Sequence, residues 1–542
     1  MTGSIFAISP ARWPTGHGAV TWKGRSPRRR RPCRLAGDGA CLCWFKANRC
    51  KRKGLQLRCR AILDGQKCPC TKQLVTCPHL SLPAGSAEEV ILIDKFYAIL
   101  PEKAKDWAVS YQGWRLTKER FGRDFDSAFN GFMERSNWSF EMVLEYQKKK
   151  LSEALERASR TPFYQRVFSE LRADWRDFTD LKNFKKLPIV TKENIRNNLN
   201  EFRPRLPEKS DKLLKTSGTT GESFAFPVSK NVEPEQWALW SRYRMWHGIR
   251  RGEKCALFAS APIVRGELNR RPWRYNKANN EFRFSIFHIS KETAPMYVDA
   301  LNEIKPLWIH GNPTAIALLS SYIVDLKLKI SFIPKCITVG SENFLGWQRD
   351  AIKKAFNAPI SQHYGQAEAV ANISQCECGN LHTDEDYSFV EYLNEDSAGS
   401  FSIVGTPFNN YALSILRYVT GDLVTLDSAP CCCGHPGRIV KTLDGRLTDY
   451  ILLPGGKRVA SLAAPFHNTD SLAGAQIYQD KKGDLVIRYI PGKGWRDDFL
   501  KELEKGIRIR VGQEIKIRFL EVDKIEKTPR GKMKLVVSDY QK

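Results

Sequence analysis

Two stretches of this 542-residue chain hold residues at spacings suited to metal ligation. Cys376-Glu377-Cys378-Gly379-Asn380-Leu381-His382 sets a cysteine six residues ahead of a histidine. About 50 residues later, Cys431-Cys432-Cys433-Gly434 supplies a Cys-x-Cys-Gly turn. Thiolate and imidazole are the ligands that tetrahedral Zn²⁺ takes, so Cys376, His382, Cys431 and Cys433 form a candidate S₃N site. Cys378 and Cys432 are alternative ligands or bystanders, and reduced thiols without metal are the competing reading. A third stretch, Lys215-Thr216-Ser217-Gly218-Thr219-Thr220-Gly221, brackets small hydroxylated residues with glycines. Such a loop can turn N–H groups and hydroxyls toward phosphate oxygens. It is not a Walker loop, because no Lys-Ser or Lys-Thr follows its second glycine, and alone it also reads as ordinary turn chemistry.

Further motifs follow in order: Gly340-Ser341-Glu342, Tyr364-Gly365-Gln366-Ala367-Glu368 and Tyr418-Val419-Thr420-Gly421-Asp422, then Gly445-Arg446-Leu447-Thr448-Asp449 and Thr528-Pro529-Arg530-Gly531-Lys532. Together with the glycine-rich loop, this series resembles the adenylate-forming superfamily of acyl-CoA synthetases. The nearest branch is that of phenylacetate–CoA ligase and its capsular-polysaccharide-biosynthesis relatives. The resemblance covers roughly residues 90–542. It implies an AMP-forming acid–thiol ligase, which joins a carboxylic acid to ATP with loss of pyrophosphate and then passes the acyl group to a thiol, coenzyme A by default. It also implies roles. Ser217, Gly218, Thr219, Thr220 and Gly221 would cover the β- and γ-phosphates. Gly340, Ser341, Glu342, Tyr364 and Gly365 would wall the adenine, the Tyr364 ring offering a stacking face. Glu368 would hold Mg²⁺, for which a hard carboxylate oxygen is suited. Asp422 would accept the ribose hydroxyls. Arg446 would sit at the boundary of two catalytic domains, and Lys532 would meet the reacting carboxylate and α-phosphate. The same branch has a Cys-x5-His element and a later Cys-x-Cys-Gly, which implies a structural zinc clip.

Three positions depart from the family pattern. Glu222-Ser223 replace the Pro-Lys that often follows the phosphate loop, Thr448 stands at a hinge usually occupied by Asp or Lys, and Arg530 replaces a serine. The first two bear on phosphate binding and domain rotation, not on the reaction class.

A frame must bring these motifs together. From Leu213 onward, apolar runs at Cys255–Ala259, Trp308–Ile309, Cys336–Val339 and Ile360–Tyr364 alternate with helical stretches such as Thr314–Val324 and Gly346–Phe356. That alternation predicts an α/β fold with buried, largely parallel strands. Phe140–Phe168 is expected as one amphipathic helix, with Met142, Val143, Tyr146, Leu151, Leu155 and Ala158 on its apolar side. Trp237, Trp240 and Tyr243 recur every third residue, a spacing that serves core packing or the edge of a substrate tunnel. His310-Gly311-Asn312-Pro313 lies where relatives approach the substrate.

Three domains are expected. Residues 1–85 form a basic, cysteine-rich extension, with ordered chain from near Glu88. Residues 86–445 form a large, multi-layer ATP- and acyl-binding domain. Residues 446–542 form a small mobile α+β domain, with strands at Leu485–Tyr489 and Ile515–Phe519 flanking a helix at Asp497–Gly506. With 42% apolar and 27% charged residues, the chain reads as globular, not disordered. No apolar run reaches the length of a membrane span.

The net charge of +27 suggests nucleic acid, but residues 1–85 hold 17 of the 86 Lys and Arg and only Asp38 and Asp64 of the 59 acids. The motif-bearing body is only mildly basic, which argues against a nucleic-acid partner there. Eight of the 15 cysteines share the extension, which reads as a disordered segment, a basic arm for nucleic acid or anionic surfaces, or a metal knuckle. Clustered cysteines and the absence of a secretory signal suggest a reducing, cytoplasmic setting. The expected partners are a small carboxylic acid and coenzyme A or another thiol. A catalytically silent nucleotide-binding relative and a zinc- or nucleic-acid-binding protein are the alternative functions. Neither oligomeric state nor the identity of the acid is written in these residues.

Overall fold

The computed structural model describes residues 101–215, 224–259, 263–264, 271–393, 399–446, 451–454, 458–459, 462, 464–466, 472–492, 495–496, 498–526 and 533–540. The extension 1–85, the expected start near Glu88, Ser217–Gly221, Thr448 and Lys532 lie outside these residues.

The expected helix over Phe140–Phe168 is two helices, α1 (Phe140–Ala158) and α2 (Pro162–Glu170). Thr161-Pro162 causes the break: proline has no N–H to continue the ladder but is well suited to a first helical position, and the Thr161 hydroxyl caps Tyr164 N. Val143, Leu151, Leu155 and Ala158 are buried as expected, while Met142 points outward.

A hairpin follows, β1 (Lys212–Lys215) pairing antiparallel with β2 (Ala225–Val228), so the glycine-rich loop is its connection. Helix α3 (Val232–Trp246) carries the aromatic stripe. Next come β3 (Cys255–Ala259), β4 (Trp273–Asn276), β5 (Glu281–Ser285), β6 (Trp308–Gly311), β7 (Ile337–Val339) and β8 (Ile360–Gly365). Five of these are parallel neighbours in the order β5-β3-β6-β7-β8, with β4 antiparallel on the edge. Parallel neighbours need crossovers. Helices α4 (Ala294–Ile304), α5 (Pro313–Asp325) and α6 (Gly346–Phe356) supply them, and their apolar residues join one core with β3, β6 and β7.

Beyond β8 the sheet turns antiparallel. It continues through β9 (Asn372–Gln375), β10 (Leu381–Thr383), β11 (Ser388–Leu393), β12 (Ser400–Pro407), β13 (Tyr418–Asp427) and β14 (Ile439–Arg446). Among the described residues twelve strands share this sheet, ordered β11-β12-β13-β14-β10-β9-β8-β7-β6-β3-β5-β4. After the small pair β15 (Ile451–Leu452) and β16 (Arg458–Val459), a second sheet holds β17 (Leu472–Gln479), β18 (Leu485–Pro491), β19 (Ile517–Glu521) and β20 (Val536–Ser538). Helix α7 (Phe499–Val511) buries Phe499, Leu503, Ile507 and Val511 in a core that also holds Ile477, Ile487 and residues of α4–α6. The fold is therefore mixed α/β, a large sheet with crossover helices plus a small α+β unit.

Candidate functional site

Among the described residues, Tyr364, Glu368, Asp422 and the backbone of Arg446 come together where the parallel half of the large sheet becomes antiparallel. Tyr364, in the last part of β8, donates its hydroxyl to Asp422 Oδ2 at 2.7 Å. Asp422 in β13 stands in register with Arg446 in β14, so the expected ribose acceptor and the expected domain-boundary residue are cross-strand neighbours in backbone position. Gly421 takes a φ of +78° just before Asp422, a left-handed turn that glycine enters without penalty. Glu368 lies in the turn after β8, half-buried, and receives the Tyr418 hydroxyl at 3.4 Å. Leu214, Phe224 and Phe226 of the hairpin share a buried cluster with Ala369, Val370 and Tyr418. The hairpin strands are therefore anchored beside the Glu368 turn.

Gly340-Ser341-Glu342 follows β7. A Cβ on Gly340 would stand 3.0 Å from His363 Cε1, so this position needs a glycine or a shifted imidazole. Ser341 holds a φ of +73°, a conformation that costs a serine about 1 kcal/mol or more. The Glu342 carboxylate accepts from Asn312 Nδ2 at 2.9 Å and Thr314 Oγ1 at 2.6 Å. It thus ties this segment to the start of α5, and the sequence reading, which placed Glu342 in an adenine wall, did not foresee those bonds.

The metal-ligand candidates converge fully. β9 and β10 form one hairpin and β13 and β14 another, and β10 pairs with β14, which brings the two connecting turns side by side. The ligand atoms of Cys376, His382, Cys431 and Cys433 all lie within 4.8 Å of one another. Sγ of Cys376 is 3.6 Å from Sγ of Cys431, and Sγ of Cys433 is 3.4 Å from both Cys431 Sγ and His382 Nε2. His382 Nδ1 faces the Gly437 carbonyl at 3.4 Å, which leaves Nε2 as the inward atom. Burial opposes ionisation of the Cys431 thiol. The Cys433 backbone N–H, Asn380 and His382 outweigh it and hold the pKa at about 6, favouring thiolate at neutral pH. Three sulfurs and one imidazole in this arrangement could hold a tetrahedral cation. Cys378 and Cys432, open in the sequence reading, are joined to each other as a disulfide beside the cluster.

A buried charge network that the sequence reading missed ties this knuckle to α3. Arg242 donates to Asp384 Oδ1 at 2.7 Å and to both oxygens of Asp386 at 2.8 and 3.0 Å, and Arg135 reaches Asp386 at 2.8 Å. Burial raises the Asp386 carboxyl, but Arg242 and Arg135 outweigh it and leave its pKa below the usual range. Asp384 also accepts from Asn372 and Ser374, yet burial dominates and its pKa is raised. The acidic run Asp384-Glu385-Asp386, two residues after His382, was the available signal. Removing one partner of such a pair leaves an uncompensated buried charge. We predict that Arg242→Ala lowers stability by about 3–5 kcal/mol in urea unfolding. A loss below about 1 kcal/mol would show that water relieves the two carboxylates.

The aromatic stripe of α3 faces inward: Trp240 and Tyr243 are buried and Trp237 is half-buried. Trp240 Nε1 bonds Asn372 Oδ1 at 3.2 Å, and the Tyr243 hydroxyl bonds Ser361 at 2.8 Å. No helix among the described residues is long and apolar enough to cross a membrane.

This fold is that of the adenylate-forming ligases. A crystal structure of 2-hydroxyisobutyryl-CoA ligase, in the postadenylation state with R3-HIB-AMP, superimposes with a TM-score of 0.58 at 16% identity, over 75% of this chain and 91% of that one. Residues 453–539 match the family described as the CapK C-terminal domain. Protein CapK of Staphylococcus aureus is 25% identical over 464 residues, 83% of this chain and 100% of that protein. Phenylacetate-coenzyme A ligase of Thermus thermophilus is 21% identical over 312 residues, 55% of this chain and 68% of that protein.

Proposed function

We propose that this chain adenylates a small carboxylic acid with ATP and then transfers the acyl group to a thiol, coenzyme A in the first instance. One observation carries the reading: Tyr364 and Asp422, 58 residues apart in sequence, hydrogen-bond at 2.7 Å, with Arg446 in register opposite Asp422 and Glu368 in the adjoining turn. The fold and the homology to phenylacetate–CoA ligase support it further.

In the first step a carboxylate oxygen attacks the α-phosphorus of ATP and the bond to pyrophosphate breaks. The Ser217–Gly221 loop offers N–H groups and hydroxyls to the departing phosphates. Glu368, half-buried beside the loop's hairpin, would hold Mg²⁺, which supplies positive charge for those phosphates. Asp422 accepts the ribose hydroxyls, and Tyr364 fixes the orientation of that carboxylate. Lys532 meets the carboxylate–phosphate encounter. This is catalysis by positioning and fixed charge. In the second step thiol sulfur attacks the acyl carbon, AMP leaves, and the C-terminal unit 446–542 has turned Lys532 away. Use of ATP and coenzyme A favours the cytoplasm, although the Cys378–Cys432 disulfide departs from the reduced thiols expected there.

We propose Zn²⁺ for the four-ligand knuckle. Bond lengths of about 2.3 Å to sulfur and 2.0–2.1 Å to nitrogen give tetrahedron edges of about 3.8 Å between sulfurs and about 3.5–3.6 Å between sulfur and nitrogen. The sulfur–sulfur separations of 3.6 and 3.4 Å and the sulfur–nitrogen separation of 3.4 Å lie slightly inside those edges, so a bound ion would spread the donors by a few tenths of an ångström at most. With all four positions filled by protein the ion is structural.

The test is release of pyrophosphate from ATP and Mg²⁺ over a panel of carboxylic acids, followed by thioester formation with coenzyme A. We expect at least one acid to support both. ATP binding without pyrophosphate release on any acid would instead make the chain a silent relative.

A further inference from the structure

The helix Glu102–Arg120, the first element among the described residues, carries an outer face that adenylation does not use. Its inner side packs on β4 and the turn after it. The Ser110 hydroxyl donates to the Tyr275 carbonyl at 3.2 Å, Thr117 Oγ1 to Asn279 Oδ1 at 2.7 Å, and Arg274 reaches Glu102 at 2.7 Å. Gly113 meets Asn276 so closely that a Cβ would displace its amide. The outer side repeats Lys103, Trp107, Tyr111, Trp114 and Lys118 at steps of four, four, three and four, which sets all five on one stripe. Trp107 is 70% exposed, Tyr111 54% and Trp114 47%. Rings of about 150–250 Å² each leave, at such exposures, about 300 Å² of contiguous aromatic surface in water. Single exposed apolar residues are ordinary on a folded protein, whereas a contiguous patch of this size marks a contact surface.

Charge narrows the partner. The helix's three acids are taken by cations of its own fold, Glu102 by Arg274, Asp106 by Arg271 and Glu119 by Lys212. An exposed lysine stands at each end of the aromatic run, so the stripe itself presents only positive charge. The chain that leads into the helix at Pro101 carries 17 Lys and Arg against two acids over residues 1–85, and the whole chain has a net charge of +27. An anionic partner fits this face, and a second copy of the same cationic chain does not.

Ring geometry narrows it further. Trp107 and Tyr111 stack at 5.7 Å with 11° between their planes, and Tyr111 and Trp114 at 5.9 Å with 27°. Lys118 Nζ lies 4.1 Å over the Trp114 ring. Most of the ring faces are thus taken up by one another and by Lys118, which leaves ring edges outward. Nucleic-acid bases stack on open faces. A bilayer interface asks instead for an apolar ridge with polar handles, which Trp and Tyr supply at headgroup level beside lysines that meet lipid phosphates.

We propose that the stripe from Lys103 to Lys118 docks this protein on an anionic lipid bilayer, the helix lying along the interface without crossing it. The basic residues 1–85 add an attraction that salt screens within about 10 Å at 0.1 M. The aromatic ridge adds apolar contact, which salt does not screen. Two such signals together make a stable peripheral anchor.

The experiment is co-sedimentation of the full chain with vesicles of phosphatidylcholine alone and of phosphatidylcholine mixed with phosphatidylserine, at about 0.1 M and about 0.5 M salt. Wild type should bind the mixed vesicles well and the neutral ones weakly. The triple variant Trp107→Ala/Tyr111→Ala/Trp114→Ala should bind the mixed vesicles about 100-fold more weakly, the change expected if a third of the aromatic surface leaves water on docking. Its melting temperature should be close to that of wild type, since these side chains lie outside the core. Lys103→Gln and Lys118→Gln, which leave the rings in place, should each cost about fivefold. Part of the wild-type binding should survive the higher salt, and none of the triple variant's. Equal binding by wild type and the triple variant would assign the attraction to charge elsewhere in the chain and overturn the stripe. Absence of vesicle binding by wild type overturns it too. So does a wild-type dimer that the triple variant dissolves, or tighter binding to a single-stranded oligonucleotide that the triple variant loses.

Discussion

Lys532→Ala should slow ATP–pyrophosphate exchange by about two to three orders of magnitude, the scale of losing one preorganised electrostatic contact. A cation at that point neutralises the meeting of two anions, the substrate carboxylate and the α-phosphate, and its effect is largest as charge shifts between them. Once the acyl-adenylate exists that encounter is over. The proposed rotation of residues 446–542 then presents another face of the unit to the site, a motion of the kind that gates many turnovers. Supplied acyl-adenylate should therefore be converted to thioester by the mutant at close to the wild-type rate. Equal loss in both half-reactions would make Lys532 a structural residue and remove the two-conformation mechanism. The rotation has a visible cost in this structure, where Ile477, Ile487 and Phe499 share one buried core with α4–α6. Separating that interface exposes apolar surface, at about 25 cal/mol for each Å².

Loss of the knuckle's metal should destabilise the fold about as much as loss of Arg242. Purified protein should carry one zinc per chain, and Cys431→Ser should reduce it to about a tenth or less, since three remaining donors no longer close the shell. Binding of a structural zinc amounts to about 10 kcal/mol or more in small folds that have nothing else. Here a twelve-stranded sheet supports the fold as well, so the expected loss is smaller, about 3–5 kcal/mol, comparable to breaking a buried ion pair. Unfolding should begin at β9–β10 and the β13–β14 connection, where the cluster adds to the β10–β14 pairing and the Cys378–Cys432 disulfide that also join them. The chemistry of the surviving folded fraction should change little, since the cluster's atoms are distinct from Tyr364, Glu368 and Asp422. Metal-free wild-type protein, or full zinc occupancy in a Cys376→Ser/Cys431→Ser double variant, would remove the site.

Much of this protein is legible along the chain. The strand at Cys255–Ala259 and the helix at Gly346–Phe356 could be read residue for residue, because apolar periodicity is local and both segments are buried on the side that their pattern implies. The four metal-ligand candidates could be read too, because two tight turns are specified by their own glycines, Gly379 and Gly434, both with positive φ. One break was in plain view and still missed: Thr161-Pro162 carries a cap and a ring that end α1, yet the apolar pattern runs on across it.

What only tertiary structure decided is which groups are left over. Six cysteines and histidines in the two turns look alike by spacing, and the pairing of β10 with β14 is what separates the four-atom cluster from Cys378 and Cys432. That the start of α5 holds both oxygens of Glu342 shows only in the folded chain. Arg242 and Arg244 stand two apart on one helix, the first paired with two aspartates and the second lying over the Trp237 and Trp308 rings. No local pattern distinguishes them. Helix formation depends on neighbours within a few residues, whereas the partner of a buried charge comes from strands tens to hundreds of residues away, and only the folded chain determines whether one arrives.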